Sequence, residues 1–178
     1  MNAQAADADE IKKARRAALI VLANLSDAFT RMLSEPKRHR RGTKNVHRFV
    51  VLNHTLVSHL ATLSYLLQGS RWSFSPTDFV GLIHNTKLCF KNSISILQQQ
   101  PGKNLDPDLS SLKFLNEKIA ALVQKRKAEI AAGQLETATK KELVETKSVA
   151  DQFNYIFSDV AVLSKVVIEH DQEMGFAN

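Results

Sequence analysis

The chain has 178 residues, 44% hydrophobic and 24% charged, a balance that fits one globular domain with its own core and excludes a low-complexity or disordered chain. Six Gly and four Pro favour long helices over a turn-rich sheet fold, and the single cysteine, Cys89, excludes an internal disulfide. A net charge of +6 permits an anionic partner without naming one.

Residues 1 to 8 are small and polar and are expected to fray. Ala3 to Glu10 is acidic and no apolar segment follows a basic start, so a secretory signal is not expected. The first helix is predicted from Asp9 to Leu33, capped by Asp7 or Asp9, with Ile11, Ala14, Ala18, Val21, Leu22, Leu25 and Phe29 along one side. Glu35-Pro36 ends it, because the residue before a proline is pushed out of the α region. Lys37 to Lys44 then reads as a basic loop.

From Phe49 to Ser70 no residue carries an obligate charge, and the stretch Val46 to Gln68 is the one around which the fold is expected to organise. A helix of that length runs roughly 33 Å, enough to cross a bilayer. Its polar groups Asn53, His54, Thr55, Ser58, His59, Thr62 and Ser64 argue against a span, since imidazoles at mid-bilayer are costly. The expectation is therefore a central, almost fully buried second helix with Phe49, Leu52, Leu56, Leu60, Leu63 and Leu67 as its main stripe.

Gly69 to Phe74 has no helical period and leads into Ser75-Pro76-Thr77-Asp78, a strong helix start. The third helix then shows Phe79, Leu82, Ile83, Thr86, Phe90, Ser93 and Leu97 on one face and stops before Pro101-Gly102. Asp106-Pro107 opens a fourth, with Leu112, Leu115, Ile119, Leu122, Arg126 and Ile130 aligned and a stop at Gly133. Thr139 and Glu142 have capping-box spacing, and a fifth helix follows to about His170, with Leu143, Thr146, Ala150, Phe153, Phe157, Val160, Ser164 and Val167 inside. The fold class is all-α: one antiparallel bundle of about five long helices covering residues 1 to 178.

The residues that could carry chemistry do not assemble into a site. His54 and His59 are five apart, about 140° around a helix, too far to chelate one ion, and no helical metal pair occurs. Asn53, His54 and Ser58 are expected to form a buried hydrogen-bonded cluster. Most carboxylates, Glu129 among them, fall at termini, caps or outward faces; Asp27 and Asp159 lie in apolar helices, where either can pair with an interior histidine. Cys89, between Leu88 and Phe90, reads as a buried structural thiol in a reducing compartment. Without a phosphate loop, nucleophile elbow or CxxC, no catalytic residue, cofactor or metal is expected and an enzyme is disfavoured. The run Lys37, Arg38, Arg40, Arg41, Lys44 and Arg48 is the strongest functional feature, a candidate contact for anionic lipid or nucleic acid; the missing aromatic interleaving weighs against nucleic acid.

Three segments carry a family likeness. Ala23-Asn24-Leu25-Ser26-Asp27-Ala28-Phe29, Arg31-Met32-Leu33-Ser34-Glu35-Pro36-Lys37 and Asn53-His54-Thr55-Leu56-Val57-Ser58-His59 resemble the cytoplasmic C-terminal region of YccS-like inner-membrane proteins of the fusaric-acid-resistance (FUSC) group. The likeness is clearest from Ala17 to Leu67 and includes no catalytic signature. It implies a soluble helical domain following a transmembrane bundle, in proteins associated with export of aromatic carboxylic acids. Its partners would be the transmembrane part of the parent chain, anionic headgroups or a second copy, at the cytoplasmic face of the bacterial inner membrane. Ile11 to Arg16 suits a positive stretch after a membrane exit, which favours a cytoplasmic piece with an introduced Met1. The alternative is a stand-alone basic helical module that binds nucleic acid or a partner protein.

Overall fold

The computed structural model describes residues 8–36, 42–69, 79–100 and 112–174, which form five helices and no strand. They are α1 (Ala8–Ser34), α2 (Thr43–Gly69), α3 (Val80–Leu97), α4 (Lys113–Ala131) and α5 (Ala138–Met174). The expected helix starts at Ser75 and Asp106 and the stop at Pro101-Gly102 lie outside the described residues.

Local chemistry sets the boundaries. Asp9 and Glu10 in the first turn of α1 and Arg31 in its last complement the helix dipole, and the helix gives way before Pro36. Two helices end in the same left-handed hairpin of hydrogen bonds. At the end of α4, Gly133 (φ 77°) and Gln134 donate to the carbonyls of Ile130 and Glu129; at the end of α3, Gln99 (φ 58°) and Gln100 donate to Ile96 and Ser95. Glycine adopts that φ without strain, whereas Gln99 must hold a conformation that costs a residue with a β-carbon about 1 kcal/mol or more. The cap of α5 is two residues upstream of its expected place. Thr137 Oγ1 accepts from the Lys140 backbone N–H at 3.4 Å, while Thr139 is buried inside the helix with its hydroxyl turned to Glu129.

Successive helices alternate in direction. Ser26 meets His54 and Phe29 meets His47, setting α1 against α2, while Arg48 meets Glu169 and His59 meets Gln152, setting α2 against α5. Contacts of Phe79 with Phe153 and of Ser93 with Ser164 leave α3 parallel to α5, as an up-down order requires.

The expected central position of the second helix is corrected by the packing. The hub is α5, which contacts α2, α3 and α4, while α1 packs on the outer side of α2. Phe157, Val149, Val160, Val166 and Val167 of α5 are each at most 1% exposed. The buried residues of α2 are Asn45, Val50, Leu56 and Leu63, whereas Leu60 is 43% exposed and Leu67 39%. The reason is a second apolar stripe on α5, formed by Val149, Ile156, Leu163 and Val166 beside the first, so that this helix needs cover over most of its circumference. Phe79 seals the other end of the core, edge-on to Phe114 and stacked on Phe153 at 5.4 Å. Cys89 is buried in the same core, as its neighbours imply.

Two substitutions separate the roles along α2. Leu56→Ala is expected to cost about 2–5 kcal/mol, the range for a packed leucine, and Leu60→Ala less than about 1 kcal/mol, because Leu60 is already half in water. Chemical denaturation measures both; equal losses would contradict the packing.

Candidate functional site

Of the basic run, Lys37, Arg38, Arg40 and Arg41 lie outside the described residues. Lys44 is exposed on the first turn of α2, and Arg48 is bonded to Glu169 of α5 at 2.7 Å. Arg48 thus joins two helices across their exposed edge. Gly42, just before α2, holds φ 61°, and a β-carbon there would come within 2.7 Å of the His170 ring, so this corner demands glycine on two counts.

Asn53, His54 and Ser58 do not form a buried cluster. At about 100° per residue, Asn53 points away from the other two, while His54 and Ser58 lie one turn apart on a face that is exposed. Asn53 is half-buried and donates to the Phe49 carbonyl at 2.7 Å; His54 is exposed and meets Ser26 of α1 at 2.9 Å; Ser58 is exposed.

The polar centre of the α2–α5 seam is His59 instead. Its Nδ1 lies 3.1 Å from Gln152 Oε1, its ring stacks on Tyr155 with centroids 5.0 Å apart, and its Nε2 is 3.8 Å from Asp159 Oδ2. Asp159 therefore does pair with a histidine, at a distance that makes an ion pair when the ring is protonated but is too long for a hydrogen bond. Oδ2 is buried without a hydrogen-bond partner, and burial pushes the carboxyl above the usual aspartate range against the opposing pull of His59. No nucleophile stands beside the pair in these contacts, so it is read as a cross-link between helices rather than a catalytic dyad.

A second cluster closes the α4–α5 corner. Glu129 is largely buried there, which corrects its expected outward place. It accepts from the Thr139 hydroxyl at 2.6 Å and the Thr137 hydroxyl at 2.5 Å, while Arg126 donates to it at 3.3 Å and to the backbone carbonyls of Gln134 and Leu135. The two threonine hydroxyls, ahead of Arg126, hold the Glu129 carboxyl below its ordinary range. This is turn architecture. Among the described residues no group of three or more His, Cys, Asp or Glu is placed to hold a metal ion.

What remains is a surface. α1 and α2 are the two helices among the described residues long and apolar enough to cross a membrane by length and composition, yet only 6% and 17% of their most apolar windows are buried. Leu19, Ile20 and Val21 of α1 are 48%, 56% and 66% exposed. Between the two helices lie hollows of about 390 Å³, lined by Ile11, Ala18, Leu60 and Ser64 with Arg15 at the rim, and about 320 Å³, lined by Val21, Leu25, Asn53 and Val57. A third, of about 130 Å³, sits between α2 and the ends of α3 and α5, bounded by Phe49, Leu97 and His170. The sequence holds the signal for this face, the charge-free stretches Ala17–Ser26 and Phe49–Ser70, but such a stretch does not say whether its own chain or another molecule covers it.

No family model matches the chain, and no curated protein or solved structure does either.

Asp159→Asn tests the seam. A carboxyl whose pKa is raised by folding contributes stability that is complete below the unfolded pKa and lost as the pH rises through the folded value. The variant is therefore expected to be more stable than the parent at neutral pH, by about 1–3 kcal/mol for an unsatisfied buried charge removed, and to lose that advantage in acid below the ordinary aspartate range. Denaturation midpoints across pH measure it; a variant less stable at neutral pH would show that the His59 ion pair outweighs the burial.

Proposed function

We propose that this chain is a non-enzymatic docking and assembly domain, held at the cytoplasmic face of a bacterial inner membrane as part of a FUSC-type membrane protein whose transport it helps to assemble or regulate. The observation that carries the docking reading is the exposed apolar face of α1 and α2, since soluble monomers rarely leave so continuous an apolar patch in water. The membrane assignment is supported by the three segments between Ala23 and His59 that resemble YccS-like proteins and by the cations Lys12, Lys13, Arg15 and Arg16 near the start of α1. The polar clusters at His59 and Glu129 serve helix packing in this reading, which assigns no catalytic role to the polar clusters among the described residues.

The basic segment Lys37–Arg48 is assigned to an anionic surface, the headgroups or the membrane part of the parent protein. Clustered cations near such a surface contribute up to about 1 kcal/mol each before screening. A basic module that binds nucleic acid is the second reading, favoured by the same run and by the net charge.

The genomic sequence upstream of Met1 separates the two. A polytopic membrane region in the same reading frame is expected, and a start codon with its own ribosome-binding site at Met1 would contradict the membrane assignment. For the basic segment, the domain is expected to sediment with anionic liposomes at low salt and to lose that affinity when Arg38, Arg40, Arg41 and Lys44 become Ser. Equal recovery with neutral liposomes would return the run to a solvated loop.

A further inference from the structure

We draw no further inference here: the strongest candidate, the apolar hollow of about 130 Å³ between α2 and the ends of α3 and α5, bounded by Phe49, Leu97 and His170, carries nothing, because nothing in the structure shows what covers it.

Discussion

Between Val149 and Val167, α5 turns apolar side chains toward α2, α3 and α4 at once, and the placement of these three helices follows from covering it, with α1 added on α2. A helix with one apolar stripe needs one neighbour; with Phe153, Phe157 and Val160 on one stripe and Ile156, Leu163 and Val166 on the next, it needs several. Polar links run along the borders of these contacts, except the Ser93–Ser164 pair, which is buried between α3 and α5. Arg48 with Glu169 and His59 with Gln152 fix α2 along α5, Ser93 with Ser164 fixes α3, and Glu129 with Thr139 fixes α4. Each keeps its register through geometry that apolar contact alone does not specify.

The helices were legible in the sequence because their boundaries have local causes. Pro36 and Gly133 end helices where expected, and the inner face read for the fifth helix, from Thr146 through Phe157 to Val167, is buried. The centre of the bundle was not legible. The charge-free run in α2 was read as burial by its own chain, yet the periodicity of Phe49, Leu60 and Leu67 defines only a face and not what covers it. In α5 the charges Asp151, Asp159 and Lys165 interrupt the apolar pattern, hiding that two adjacent stripes of the helix are buried. The polar cluster failed for a simpler reason: Asn53 points away from His54 and Ser58, whose shared face is exposed, whereas His59, set aside as a poor metal ligand, is the one that reaches Asp159.

The two ends of this helix order are covered very unequally. The part built around α5 holds itself together, while α1, packed only on α2, is long, apolar and sparsely covered. Such a helix is marginal alone, because most helical stability in proteins comes from packing an apolar face. It gains order when a partner covers that face, as the proposed docking role requires.

Native-state hydrogen exchange, followed residue by residue on the dilute chain, tests this division directly. Amides of α5 from Val149 to Val167 are predicted to exchange only through global unfolding, and those of α1 from Ala17 to Ala28 through local opening at much lower free energy. Protection in α1 equal to that in α5 would contradict the account, because it would make α1 part of the same cooperative core.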